Sequence, residues 1–337
     1  MTRAALISTL RKANDPSIRW KVMVRVLHED PASRKIGELQ KAITKSPRVA
    51  ALLAGRDDNG RLHRGGNVYA KWQGAHWVLA TLADIGFPAG EASLAPMRDQ
   101  VLDWWLHDSF YEEFEASRSA DAYKRSGVPV MRGRYRRCAS QQGNALYFLT
   151  KLGLADEKTE RLVERLLHWQ WPDGGWNCDK IPGADTSSFM ETLLPMTGLA
   201  VHSREHTDDR AKEAALRASE VFLSRRLFKR RADGKVIHPE FVRLHYPLYW
   251  HYDILGGLKA MAEIGLVKDP RCSDALDLLE EKELPDSGWP AERRYYKTSN
   301  KMESGAEYVD WGGTSKNKVN EWVTTDALYV LREAGRA

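Results

Sequence analysis

The chain has 337 residues, a formal net charge of +5 and a hydrophobic fraction of 42%, an ordinary globular composition. No run reaches the roughly 18 apolar residues of a membrane span, and so modest a charge gives no reason to expect a nucleic-acid partner. Cys138, Cys178 and Cys272 form neither a metal-like pair nor an even disulfide set. No metal and no cofactor are therefore expected, and a reducing cytoplasm is the expected location. Met1-Thr2-Arg3-Ala4-Ala5-Leu6 lacks the apolar stretch of a secretory signal.

Helical periodicity dominates, and no alternating strand stands out. In chain order, the patterns over 17–28 and 36–53 make a first helix pair. An apolar helix over 76–86 and a charged amphipathic one over 94–106 follow. Residues 109–137 read as a loop-rich basic insertion. Apolar patterns then recur over 143–153, 190–200, 255–265 and 325–335, mostly ending at Gly, a helix stop. Between them lie charged patterns over 157–169, 210–228 and 270–283. The apolar set predicts an inner ring and the charged set an outer one. The expectation is one all-α domain over 1–337, an α/α toroid of about five to six helix pairs, with 1–56 closing the ring.

The connecting turns repeat. Gln170-Trp171-Pro172-Asp173-Gly174-Gly175-Trp176 is echoed closely by Pro285-Asp286-Ser287-Gly288-Trp289. Ala232-Asp233-Gly234-Lys235-Val236 and Asp57-Asp58-Asn59-Gly60-Arg61-Leu62 are weaker copies. A turn recurring at intervals of about 50 to 60 residues is the mark of a repeat architecture. Pro opens the turn, Gly permits positive φ, and Trp can fold back onto the helices it joins. Asp173, Asp233 and Asp286 are then structural.

Aligned on their terminal residues, the inner helices carry Trp77, Asn144, Glu191, Gly256 and Asp326 at one level. Gln73, Ser140, Ser187, Tyr252 and Trp322 lie about one turn earlier. These levels predict a polar and aromatic lining at one mouth of the ring. Arg132, Arg134, Arg136 and Arg137 run into an inner helix and are suited to an anion. The segment from Leu244 to Asp253 crowds His245, Tyr246, Tyr249, Trp250, His251, Tyr252 and Asp253 around Pro247. His251 could work as acid or base near neutral pH. Positions i and i+2 do not face each other on a helix, so a direct His251–Asp253 pair is not expected.

The Gln-x-x-Asp-Gly-Gly-Trp turns between paired helices resemble the repeats of squalene-hopene cyclases and related terpene cyclases, whose α/α toroid the protein prenyltransferase β subunits share. The resemblance implies a toroid that holds an isoprenoid or other apolar ligand, with the arginines placed to meet a diphosphate. It is specific for fold rather than activity. Where terpene cyclases carry Asp-x-Asp-Asp-Thr, this chain has Pro182-Gly183-Ala184-Asp185-Thr186, with Ala184 in the proton donor's place. Asp185, Glu191 or Asp253 would then have to supply the acid. Prenyltransferase zinc ligands follow Asp-x-Cys, whereas Asn177-Cys178-Asp179 reverses the order.

The candidate catalytic residues are thus Asp185, Glu191, His251, Asp253 and Asp326. Tyr69, Trp72, His76, Arg134, Arg137, Ser187, His245, Tyr249 and Trp322 are the candidate substrate contacts. Two other functions fit the same residues. One is a glycosidase-like enzyme using Glu191 and Asp326 as paired carboxylates. The other is a non-catalytic ligand-binding or interaction toroid. The expected partner is a small apolar or isoprenoid molecule, and the oligomeric state is open.

Overall fold

The computed structural model describes residues 2–285, 288–299, 301 and 303–336. After α1 (Arg3–Leu10), Asp15 accepts from the Ser17 amide and Pro16 takes the first helical position. A Pro there costs no hydrogen bond. α2 (Pro16–Trp20) therefore starts at that point and runs on as a π-helical stretch, Lys21–Val26. The expected continuous helix over 36–53 is two helices, α3 (Arg34–Thr44) and α4 (Pro47–Leu53). The Ser46 hydroxyl caps the second by accepting from Val49 N–H.

From there inner and outer helices alternate. α5 (Ala75–Asp84) is inner and α6 (Ala95–Trp105) outer, followed by a short α7 (Ser119–Ala122). α8 (Ala139–Lys151), α10 (Phe189–His206), α12 (Ile254–Glu263) and α14 (Glu321–Glu333) continue the inner set. α9 (Glu157–Trp169), α11 (Asp209–Leu223) and α13 (Ser273–Glu281) continue the outer set. Each inner helix packs on the next, α5 on α8, α8 on α10, α10 on α12 and α12 on α14. α14 packs on α2 and its π stretch. Lys21 and Arg25 reach Asp84 at the end of α5, so the inner helices meet in a ring. α3, α6, α9, α11 and α13 back α2, α5, α8, α10 and α12. The architecture is all-α, an α/α toroid.

Among the described residues no helix is long and apolar enough to cross a membrane. The basic segment holds β1 (Glu113–Glu115), parallel to β2 (Val128–Met131), which pairs antiparallel with β3 (Arg134–Tyr135). β4 (Lys297–Thr298) pairs with β5 (Ala306–Glu307). Ladders of two to four residues are too short to leave the alternation that marks a strand in sequence.

The repeated turn is a clamp. Trp176 sends its indole N–H back to Leu166 O of α9 (3.0 Å) and its backbone N–H forward to Thr192 Oγ1 of α10 (3.1 Å). Trp289 does the same with Leu279 O (2.7 Å) and Thr324 Oγ1 (2.9 Å). Asp173 accepts from both the N–H and the hydroxyl of Ser187, at 2.7 and 2.6 Å. Gly174 takes φ 97°, and a Cβ there would stand 2.3 Å from Arg217 O. The weaker copies at Asp57 and Asp233 are tight turns closed by the Arg56–Leu62 and Lys229–Val236 bridges, with no Trp clamp. Asp286 and Ser287 lie outside the described residues.

The inner helices end near the expected places except α10, which continues past Ala200 to His206 before Thr207 turns left-handed. α8 and α10 cross closely. A Cβ on Gly143 would meet Pro195 N at 2.3 Å, and one on Gly198 would meet Gly143 O at 2.4 Å.

Candidate functional site

The inner helices enclose an axial cavity of about 110 Å³. Its walls are Trp77, Tyr147, Leu193, Leu194, Leu248 and Leu255, with His245, Tyr249 and Asp253 at one end. Asp84, Lys259, Glu263 and Asp326 bring charge to the same space. α12 lies along it, running from its cap Asp253 to Glu263, about 15 Å of helix.

Asp253 Oδ1 accepts from Gly256 N–H at 2.7 Å, which caps α12. Its Oδ2 accepts from His245 N–H at 2.9 Å and stands 2.7 Å from His245 Nδ1. Both side chains are 1% exposed. The Nε2 of His245 has no hydrogen-bond partner among the described residues. Burial opposes a charged imidazole, but the Asp253 carboxylate outweighs it and holds His245 above the ordinary histidine range. Sequence spacing argued against pairing His251 with Asp253, and the structure supplies His245 instead. Eight residues apart, the two meet because the loop through Pro247 doubles back on the α12 cap. His251 is packing. It is stacked between Tyr295 (3.5 Å) and Trp250 (4.1 Å), and burial holds its pKa down to about 3.

Beside the dyad lies a buried ion cluster. Lys21 Nζ is 2.7 Å from Asp84 Oδ2 and, outside hydrogen-bond geometry, 3.0 Å from Asp326 Oδ1. Lys259 bridges the same two carboxylates. Arg25 and the Tyr246 hydroxyl also reach Asp84. Glu263 pairs with Lys151 and Arg204. Burial works against the charged forms of Asp84 and Glu263, but the surrounding cations prevail. Asp84 is held well below the carboxylate range, and Glu263 at about 2. Both are ionised acceptors at neutral pH, not proton donors.

Of the residues nominated from sequence, His245, Tyr249, Asp253 and Asp326 line the cavity. Four others pack behind it. Trp72 stacks on Tyr249 at 3.7 Å, and Trp322 on Tyr246 at 5.0 Å. His76 accepts from the Trp105 indole at 3.0 Å and meets the Asn144 amide at 3.1 Å, and burial lowers its pKa to about 3. His251 is the fourth.

The remaining nominees stand elsewhere. Ser187 is taken up by Asp173. Asp185 is exposed and accepts from the Thr186 hydroxyl, because its loop precedes α10 rather than entering the ring. Arg134 and Arg136 lie over Trp171, whereas Arg137 lies over Phe110 and Trp169. In an extended segment adjacent side chains point to opposite faces, so Arg134 and Arg137 do not converge on one anion.

Glu191 does not share the cavity with Asp326. The equivalence assumed that α10 ends at Ala200. The Trp clamps give the true register, since Thr192 and Thr324 each stand fourth in their helix. Asp326 therefore corresponds to Leu194, which also lines the cavity. Glu191 instead accepts from Ser140 N–H (3.1 Å) and from the Cys178 thiol (3.4 Å). Burial raises its pKa. Hydrogen bonding with Cys138, then burial and Glu191, push the Cys178 thiol up. Tyr69 is close enough to Glu191 that, after burial, this carboxylate is the next cause of its raised pKa.

Sequence reasoning missed Lys21, Asp84, Lys259 and Glu263. A legible signal existed for three of them, since Asp84, Lys259 and Glu263 interrupt helices that are otherwise apolar. Glu307 left no such signal. It is 2% exposed and accepts from the Tyr249 hydroxyl (2.9 Å) and from Tyr308 N–H (2.9 Å). Burial outweighs these bonds and raises its pKa to about 7. A carboxyl raised on folding binds more protons in the folded state, so its contribution is full below about pH 4.5 and lost as pH climbs through about 7. Relative to Glu307→Gln, the wild type should lose on the order of 3 kcal/mol of unfolding free energy across that window. Parallel stability curves from urea unfolding would contradict this.

No family model and no curated protein matches the chain. Several solved structures are similar over nearly its whole length. A protein from Actinoplanes is 16% identical, covering 95% of this chain and 90% of its own, with a TM-score of 0.46. Unsaturated glucuronyl hydrolase from Bacillus sp. GL1, described as responsible for the degradation of glycosaminoglycan, is 14% identical, covering 94% and 84%, with a TM-score of 0.43. Type II terpene cyclase MstE from Scytonema, in complex with geranylgeranyl dihydroxybenzoate, is 13% identical, covering 99% of each chain, with a TM-score of 0.41. At such identities and scores the likeness says nothing of activity.

Proposed function

We propose that this toroid takes a small ligand with an apolar body into its axial cavity, and that His245, held by Asp253, moves a proton on it. The observation that carries this reading is the 2.7 Å buried pair at the cavity, whose Nε2 is itself buried and has no hydrogen-bond partner among the described residues. An imidazole whose Nδ1 is held by a carboxylate can give or take a proton at Nε2, and the raised pKa of His245 favours the protonated, donating form. The ligand class follows from the walls, which are mainly apolar and aromatic. Its size follows from the volume. At roughly 30 Å³ per water, about 110 Å³ holds on the order of four waters. A short prenyl or similar branched apolar group fits that space; a long polyene does not.

The ion cluster narrows the chemistry. Protonating an alkene needs a neutral, strong acid, and Asp84 and Glu263 are ionised. The isoprenoid reading is therefore kept for the ligand and not for cyclase-type protonation. A glycosidase would need a protonated carboxyl facing a free one, whereas Asp84 and Asp326 share Lys21 and Lys259.

A thermal-shift screen of short prenyl alcohols and diphosphates, polyprenes and oligosaccharides tests the reading. Short prenyl compounds should stabilise the wild type, by about 2.7 kcal/mol at a hundredfold excess over Kd. Ala260→Phe, which fills the cavity, should abolish the response. His245→Asn should keep binding but slow turnover of the hit by about a hundredfold, followed by mass spectrometry of products. Binding without turnover in the wild type would make the toroid a carrier rather than an enzyme. Stabilisation by oligosaccharides alone would overturn the ligand class, and undiminished binding in Ala260→Phe would overturn the cavity as its place.

A further inference from the structure

Cys138 and Cys178 lie 40 residues apart in sequence. A backbone bridge and a side-chain bond bring them side by side. Arg136 and Asn177 form a parallel bridge, and the Trp171 indole donates to Tyr135 O at 2.8 Å. Cys138 then stands at the N-cap of α8 and Glu191 in the first turn of α10. The two Sγ atoms and a Glu191 carboxylate oxygen all lie within 4.8 Å of one another, and Cys178 Sγ is 3.4 Å from Oε1.

We infer that Cys138, Cys178 and Glu191 form a zinc site with its fourth coordination position open. Tetrahedral zinc, about 2.3 Å from sulfur and about 2.0 Å from a carboxylate oxygen, sets two sulfurs about 3.8 Å apart and a sulfur and an oxygen about 3.5 Å apart. The cluster therefore needs only a small side-chain adjustment. Soft thiolates select zinc over magnesium or calcium. Two thiolates and a carboxylate around a divalent ion leave one negative charge, and the buried Arg137 guanidinium beside them offsets it. The Ser140 N–H, 3.1 Å from Glu191 Oε2, fixes the carboxylate as an outer partner does in metal sites.

The site is independent of the His245–Asp253 dyad, and three ligands with one open position suit a bound water or substrate atom better than a purely structural metal. A second cluster, Glu160, His202 and Asp208, gathers within the same distance, but it has no thiolate and Asp208 is already engaged in capping α11.

The test uses the full chain, purified without a histidine tag or chelator under reducing conditions. Elemental analysis should find about one zinc per chain, as expected of a thiolate site that forms on folding. Replacing that zinc by cobalt should give the intense near-ultraviolet absorption of thiolate-to-cobalt charge transfer. Cys138→Ser/Cys178→Ser should lose both the zinc and the band while keeping its far-UV circular dichroism. Glu191→Gln, which leaves the thiols in place, should weaken cobalt binding by about tenfold or more. Zinc retained by the double Ser variant would place the metal elsewhere and overturn the proposal. So would a wild type with no zinc and no cobalt band, or one with Cys138 and Cys178 joined as a disulfide on non-reducing mass spectrometry. Should the double variant fail to fold, the cobalt spectrum of the wild type and the Glu191→Gln affinity decide the matter alone.

Discussion

Replacing Lys21 by Met is expected to cost about 3–5 kcal/mol of unfolding free energy, the usual penalty for breaking a buried ion pair from one side. Lys21 is 1% exposed and lies on the π stretch after α2. Burial pulls its pKa down, and the Asp326 and Asp84 carboxylates work against that fall. Its removal leaves Asp84 with Arg25, Lys259 and the Tyr246 hydroxyl, but leaves Asp326, 3% exposed, with Lys259 as its ion-pair partner among the described residues. The loss therefore falls mainly on Asp326. Adding Asp326→Asn to Lys21→Met should recover part of it, because the stranded charge goes as well. Urea unfolding of the two single variants and the double gives the coupling directly. A Lys21→Met protein within about 1 kcal/mol of the wild type would mean that water reaches the cluster.

Trp176→Ala and Trp289→Ala should each cost about 3–5 kcal/mol, the range for emptying a large aromatic site in a core. Both indoles are buried, at 1% and 0% exposure, and each N–H closes a bond to the outer helix before it. Phe in their place keeps much of the packing and loses that bond, so Trp176→Phe and Trp289→Phe should cost less, with roughly 1 kcal/mol from the bond itself. A clamp role predicts similar losses at the two sites. If only one turn were sensitive, the repeat would be a likeness of sequence without a shared mechanical role.

Much of this molecule is written locally. A period of 3.6 residues, Gly after an apolar stripe, and caps such as Asp15, Asp156 and Asn320 are properties of one segment at a time. So is the clamp of Trp176 and Trp289, whose N–H groups bond the helices just before and after them. Those features determined the helices, their alternation and the ring. Register between helices is not local. Glu191 looked equivalent to Asp326 until α10 ran six residues beyond Ala200 and the Thr192 and Thr324 bonds set the alignment. The closeness of α8 to α10 depends on two glycines facing each other across an interface. Only the folded chain joins His245 to Asp253, Lys21 to Asp326 and Cys138 to Cys178, because each pair depends on where a loop or a neighbouring helix lands. Sequence periodicity states which face of a helix is buried; which partner waits there is decided by the lateral packing of the ring.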